Sequence, residues 1–401
     1  MNILFVNEIP MNPLYGGIER VTDILTRELV LRGGYRVFYL CARVDSIGML
    51  DYNFPAEKQF VLPHTGGFRN LDNVIWYNEL LIQNKIDIVV NQRGWAPFMN
   101  AVLDSHGIPS VSVIHCVPMG MHIMYIRGIL RHNKTFDGVW RYVFKLIIYP
   151  FYYLCKYYKS VKSIKSHYRD LVSKSSAVVL LSNECRKEFD NIIASFVPKC
   201  KTYSIPNPNV YKLLSKDEHK KQNIVLYVGR LCENQKRPLR MLKIWEMLYK
   251  KFPEWEMIFV GSGDALSAMN AYASRNKIKN VVFVGQVLNV EEYYRKSDFI
   301  CLTSDFEGWG MTLTEGMNFG CIPFTFANYG AASEIIDDDV NGCLIPAFNL
   351  KLYAERLAIL MQNKFKRETM SKAAIEKVMS FSVDRVADQW IKLFNEVKNN
   401  K

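Results

Sequence analysis

Residues 306–317 read Phe-Glu-Gly-Trp-Gly-Met-Thr-Leu-Thr-Glu-Gly-Met and set two acids, Glu307 and Glu315, eight positions apart. Gly308 and Gly310 follow the first acid, and an apolar run, 299–302, precedes it. That order predicts a strand, a tight glycine turn and a helix start. Such a turn presents backbone N–H groups, and with the helix dipole they make a site for an anion. Carboxylates beside it accept charge-assisted hydrogen bonds from sugar hydroxyls. An anion site and sugar-holding acids together point to a nucleotide sugar.

Other positions carry related chemistry. Gly16 and Gly17 end a loop and open a helix, where backbone N–H groups can approach a phosphate or sugar, although Gly-Gly also makes plain tight turns. His115 follows the apolar run 111–114, placed to hydrogen-bond a sugar hydroxyl or a phosphate. Arg230 and Lys236 flank a short loop after another apolar run, and Pro238 suits the start of the next helix. Two cations there can neutralise a diphosphate leaving group as its charge grows. Arg237 and Arg240 are expected to face solvent. Asp337-Asp338-Asp339 precedes a turn signal and is expected to be a solvated loop. No acidic triplet sits where a diphosphate-bound divalent ion would be held, so no catalytic metal and no cofactor are expected. Gly261-Ser262-Gly263 lacks the third glycine of a dinucleotide loop, with Leu266 in its place.

The elements that must position these residues alternate regularly. Strands are expected at 3–6, 36–40, 86–91, 110–115 and 177–182, with helices between, including 19–31. The pattern breaks at Pro206-Asn207-Pro208, and 207–222 is the expected linker. It restarts at 223–229, with further strands at 257–261, 281–285, 299–304 and 322–326. Alternation of this kind implies parallel sheets covered by helices on both faces. The expected class is α/β, with two facing Rossmann-like doubly wound domains and a cleft between them. The first, 1–206, would bind the acceptor and the second, 223–382, the donor. Trp390, Leu393 and Phe394 share one face of a helix within 383–401, which is expected to pack back toward the first domain. Open α/β sheets bind ligands at the carboxyl ends of their strands, where Gly16, His115, Arg230 and Glu307 all fall.

Bulk properties agree. A chain of 401 residues favours two domains, and a formal charge of +12 favours anionic partners. The nine cysteines are scattered without a C-x-x-C pair, as reduced thiols in a cytoplasm would be. The first residues lack a basic start and a cleavage site, so no signal peptide is expected.

Taken together, Gly16-Gly17, His115, Arg230, Lys236 and the Glu307-x7-Glu315 run resemble glycosyltransferase family 4, which has the GT-B architecture. The resemblance spans nearly the whole chain. It implies a retaining transfer of a sugar from a nucleotide donor without a metal. Glu307 matches the residue on the donor sugar and Glu315 the one on the ribose. Gly310, Met311 and Thr312 match backbone groups that meet sugar or diphosphate, and Gly308 is expected beside them in the donor site. Arg230 and Lys236 match the diphosphate-binding pair, His115 a sugar-contacting histidine, and Gly16-Gly17 a loop lining the donor pocket. Trp309 replaces a common phenylalanine, Ile205-Pro-Asn-Pro-Asn209 replaces an Asn-Gly turn, and Cys116 stands where an acid is common.

Between 125 and 174 the chain carries eleven Lys and Arg against two acids, most of its net charge, interleaved with aromatics. Trp140, Lys145, Lys156, Lys159, Lys162 and Lys165 are the expected contacts with an anionic membrane surface. Arg141, Lys145 and Pro150 break the apolar run, so no spanning helix is expected. RNA is a weaker match, because no RNA-binding motif is present.

The sequence thus predicts a cytoplasmic, peripheral, retaining hexosyltransferase on the inner face of the membrane. Its acceptor would be a lipid-linked glycan in cell-envelope or capsular polysaccharide synthesis. The rivals are a GT-B epimerase or phosphorylase and a non-catalytic sugar-nucleotide or membrane-binding module.

Overall fold

The computed structural model describes residues 1–42, 54–96, 99, 102–103, 107–120, 149–196, 200–211 and 221–399. Trp140, Lys145 and the linker residues 212–220 lie outside the described residues.

Two parallel sheets organise the chain. The first contains β1 (Asn2–Asn7), β2 (Arg36–Cys41), β3 (Lys58–Val61), β4 (Ile88–Asn91), β5 (Ser110–Ile114), β6 (Ala177–Leu180) and β7 (Lys201–Ser204), in spatial order β3-β2-β1-β4-β5-β6-β7. The second contains β8 (Ile224–Val228), β9 (Glu256–Val260), β10 (Val281–Gly285), β11 (Phe299–Cys301), β12 (Ile322–Phe326) and β13 (Cys343–Ile345), in order β10-β9-β8-β11-β12-β13. Helices α1 (Gly17–Leu31), α2 (Leu71–Gln83), α3 (Tyr149–Lys174) and α4 (Asn183–Ile193) belong to the first half. The second half carries α5 (Pro238–Glu246), α6 (Leu266–Arg275), α7 (Glu291–Lys296), α8 (Met311–Asn318), α9 (Ala332–Ile335), α10 (Leu350–Gln362) and α11 (Lys364–Val378), and α12 (Val383–Asn399) closes the chain.

Both halves are the doubly wound fold that the alternation predicted. Central strands such as β1, β4 and β5 are covered on both faces, so they read as unbroken apolar runs. Three strands were not foreseen. β3 and β7 are short edge strands with partly exposed residues, and β13 has three residues. An edge strand buries too little to show either an apolar run or a clean alternation.

In each sheet the winding reverses between the first strand and its neighbour, β1 beside β4 and β8 beside β11. A crevice opens at the carboxyl ends of strands on either side of such a reversal. The two crevices face each other, and one apolar cluster runs through the boundary, including Ile114 and Leu180 from the first domain and Ile300 and Leu313 from the second.

The closing helix belongs to the first domain's core. Val386, Ala387, Trp390, Leu393 and Phe394 join the cluster built on Ile3, Phe5, Val90 and Val179. Arg32 binds Asp388, and Lys398 pairs with Asp87 at 2.9 Å. The chain therefore crosses between domains twice, and the crossings touch, because Asn209 N donates to Phe381 O at 2.7 Å.

Candidate functional site

The second domain supplies a laced pair of loops, one after β8 and one after β11. Asp305, whose side chain is fully buried, pairs with Arg237 Nε at 2.5 Å and Arg240 Nη1 at 2.7 Å. Its N–H donates to Gln235 O at 2.8 Å. Arg237 and Arg240, expected to face solvent, instead hold the acid-bearing loop against the start of α5. The reason is Asp305, since a buried carboxylate must be paired. Arg237 takes a left-handed conformation, φ 50°, and Pro238 fills the first helical position as expected.

These loops bring Lys236 to Glu307. Lys236 Nζ donates to Glu307 Oε1 at 2.7 Å, and Ser304 Oγ donates to the same oxygen at 2.5 Å. Glu307 is buried and Lys236 nearly so. Arg230 stays exposed, its Nη2 reaching Gln235 Oε1 only at 3.5 Å. Beyond Glu307 the chain turns through Gly310, φ 96°, and enters α8 with no side-chain cap, which leaves the helix N-terminus presented to the cleft. Two buried polar atoms in this turn, Trp309 Nε1 and Thr312 Oγ1, have no hydrogen-bond partner among the described residues. Buried polar atoms in native proteins are nearly always satisfied, so water or a ligand's polar group is needed to complete these two.

The first domain supplies the facing wall. Asn7, at the end of β1, donates to Glu19 Oε1 at 2.8 Å and accepts from Arg93 Nε at 2.7 Å. His115 Nε2 meets Gln92 Oε1 at 2.6 Å, and His115 Nδ1 is a third buried atom without a partner among the described residues. Loss of solvent, with the Arg93 charge adding, pushes the His115 imidazole down to about 3, so the ring is neutral at physiological pH. A neutral ring can donate or accept a hydrogen bond. Burial also pushes the Cys116 thiol up to about 12, so no charge stands beside His115 at that position.

Among the described residues the walls touch at several places, three of them beside the glycine turns and Glu315. A β-carbon at position 308 would sit 2.0 Å from the His115 carbonyl oxygen, so only glycine permits this approach. A β-carbon at Gly17 would sit 2.9 Å from Met311 Sδ. Arg20 Nη1 donates to Glu315 Oε1 at 2.8 Å, and Tyr294 OH donates to Oε2 at 2.7 Å. Farther out, Glu334 of the second domain accepts the Asn183 N–H that opens α4.

The structure thus gathers Gly16, Gly17, His115, Lys236, Glu307, Gly308, Gly310, Met311, Thr312 and Glu315 at one cleft, with Arg230 at its exposed rim. Glu19, Arg20, Arg93, Tyr294 and Ser304 were not singled out. Glu19 and Arg20 are adjacent to the glycine pair and lie within one turn of it, which is the signal that was available. Arg93 and Tyr294 join only through the sheet order. Asp337, Asp338 and Asp339 lie elsewhere, paired with Lys377, Arg356 and Lys366. Their paired arrangement refines the solvated-loop expectation. Among the described residues, no three His, Cys, Asp or Glu side chains cluster as metal ligands do.

Lys156, Lys159, Lys162 and Lys165 lie on α3, with Lys159, Lys162 and Lys165 exposed and Lys156 half-buried. Leu154, Tyr157 and Tyr158 are exposed on the same helix, while His167, Tyr168, Leu171 and Val172 anchor its other end. Among the described residues no helix is long and apolar enough to cross a membrane.

Comparison with known proteins follows this geometry. Residues 213–377 match the glycosyl transferases group 1 family. The chain is 29% identical over 180 residues to the GalNAc-alpha-(1->4)-GalNAc-alpha-(1->3)-diNAcBac-PP-undecaprenol alpha-1,4-N-acetyl-D-galactosaminyltransferase of Campylobacter jejuni, covering 45% of this chain and 50% of the relative. It is 22% identical over 347 residues to the poly(glycerol-phosphate) alpha-glucosyltransferase of Bacillus subtilis, covering 82% and 46%. The aligned stretches therefore span about half the length of these curated relatives. The crystal structure of Anabaena HepE in complex with UDP and glucose superposes with a TM-score of 0.72 at 16% identity, covering 99% of this chain and 100% of that one.

Proposed function

We propose that this chain, a GT-B protein whose second half carries a glycosyl transferases group 1 segment, moves a hexose from a nucleotide-diphosphate sugar to an acceptor with retention of configuration. The carrying observation is the facing pair of crevices. One presents an uncapped helix N-terminus, Lys236 and Thr312 for a diphosphate; acids on both walls and His115 on the first domain's wall are available for sugar hydroxyls. The helix terminus and Lys236, with Arg230 at the rim, stabilise the negative charge that grows on the departing diphosphate. Neutral His115 orients a sugar hydroxyl.

Glu307 fits a positioning role better than a nucleophile's. One of its oxygens already accepts from both Lys236 and Ser304. A carboxylate engaged in this way is a poorer nucleophile, which favours attack from the leaving group's own face. No metal is invoked, because the cations and the helix terminus supply the charge.

The test is turnover of a panel of nucleotide sugars. One donor is expected to raise thermal stability, by about 2.7 kcal/mol at a hundredfold excess over its Kd. It should release nucleoside diphosphate equally well with and without a chelator. A panel in which no nucleotide sugar binds or turns over would remove the proposal.

The acceptor is proposed to be a lipid-linked glycan reached at an anionic membrane surface on its cytoplasmic face, in envelope or capsular polysaccharide synthesis. The name of the Campylobacter relative includes a PP-undecaprenol glycan. The exposed lysines, tyrosines and Leu154 of α3 support such docking. Each lysine near an anionic surface contributes about 1 kcal/mol. Changing Lys156, Lys159, Lys162 and Lys165 together to Ser is therefore expected to weaken co-sedimentation with anionic vesicles by about a hundredfold or more. Unchanged sedimentation would exclude α3 as the docking face.

A further inference from the structure

Arg20 is the residue to which neither the sequence motifs nor the proposed reaction gives a task. It lies one turn into α1, and Glu315 lies one turn into α8. The two helices meet start to start, with Gly17 against Met311, and neither start is closed by a side-chain cap. Each Glu315 oxygen takes one donor, Oε1 from Arg20 at 2.8 Å and Oε2 from Tyr294 at 2.7 Å.

These two donors differ in exposure. Tyr294 is fully buried in the second domain and stacks on Phe319. Arg20 comes from the opposite domain, and its side chain is 33% exposed beside a Glu315 that is 3% exposed. A ribose diol that binds Glu315 needs carboxylate acceptor positions, and Arg20 is the donor that can leave. A destination lies close by. Both helix N-termini draw a diphosphate to this end of the cleft, and a guanidinium forks onto phosphate as readily as onto carboxylate.

We propose that Arg20 is a positioning residue that exchanges partners: it holds Glu315 before the donor enters and passes to the donor's diphosphate when the ribose takes Glu315. The inference rests on the nucleotide-sugar reading of the cleft. It adds a specific consequence, that one side chain of the first domain opposes the nucleoside part of the donor and favours the diphosphate part. The exchange keeps Arg20 paired throughout, and with donor bound the Arg20 link between domains runs through the diphosphate instead of Glu315.

Calorimetry on the full chain tests this, using uridine, adenosine and guanosine beside their diphosphates. Arg20→Ala and Arg20→Met, the second keeping the apolar stem, are compared with the unaltered protein. The preferred nucleoside is expected to bind about three- to tenfold tighter in both variants, because its competitor for Glu315 is gone. The matching diphosphate is expected to bind about tenfold weaker or worse, with partial recovery in Arg20→Lys. The opposite signs are the signature, since a merely structural bridge would move both ligands the same way. Shifts of equal sign, or none, overturn the exchange. If the unaltered protein binds none of the three diphosphates, the donor reading falls first for those bases, before any variant is compared.

Discussion

Replacing Lys236 by alanine is expected to lower sugar transfer by about 100- to 1000-fold, the range seen when one preorganised donor of charge stabilisation is removed. Two effects add. Lys236 is the cation proposed to meet the diphosphate, and it also neutralises Glu307 at 2.7 Å inside a largely buried site. Removing the lysine leaves a carboxylate whose remaining side-chain hydrogen bond among the described residues comes from Ser304. Glu307→Gln separates the effects, since the amide keeps the shape and loses the charge. If the pair acts as a unit, the double change Lys236→Ala with Glu307→Ala costs less than the two single losses combined, by about 1–3 kcal/mol. The measurement is kcat/KM for donor turnover in all members of the cycle, with urea midpoints confirming that each is folded. Strictly additive losses would show that Lys236 and Glu307 act independently, against the coupled pair.

The second large effect is expected at Gly308. Alanine there would place its methyl 2.0 Å from the His115 carbonyl oxygen, backbone against side chain, with no flexible end to swing away. The two residues belong to different domains, so the clash is relieved most cheaply by parting the domains. Gly308→Ala is therefore expected to leave both cores folded while widening the cleft. Solution scattering should give a larger radius of gyration than for the unaltered chain. Turnover should fall by about 100-fold or more, the cost of a displacement near 1 Å between reacting groups. Normal turnover in this variant would mean that the closed contact is not the working arrangement.

How far the site could be read in advance follows from what each residue leans on. Glu307, Gly310 and Glu315 sit in one continuous strand–turn–helix, where local spacing fixes the geometry, so the run was legible. So was the doubly wound fold, whose central strands must be apolar on both faces. Arg237 and Arg240 were misjudged because their partner, Asp305, lies far along the chain and is brought to them only by β11 lying beside β8. The same holds for Arg93, which reaches Asn7 and Glu19 through the pairing of β4 with β1. Arg20 was visible as a residue but not as a partner of Glu315, because that contact exists only when two separate domains close. Sequence periodicity reports which face of an element is buried; it carries no information about which loops meet above a sheet.

The helix at 383–399 has a consequence for the birth of the protein. The first domain's core includes Trp390, Leu393 and Phe394, which are made only after the whole second domain. At a synthesis rate of roughly 5–20 residues per second, the first domain waits on the order of ten to thirty-five seconds for its last helix. Throughout that interval the face built on Ile3, Phe5 and Val90 is without α12. The second domain, whose strands and helices are contiguous, can fold during the wait. The domain made first is thus the one finished last, and a ribosome that stops short of residue 383 leaves an open apolar seam for chaperones to guard.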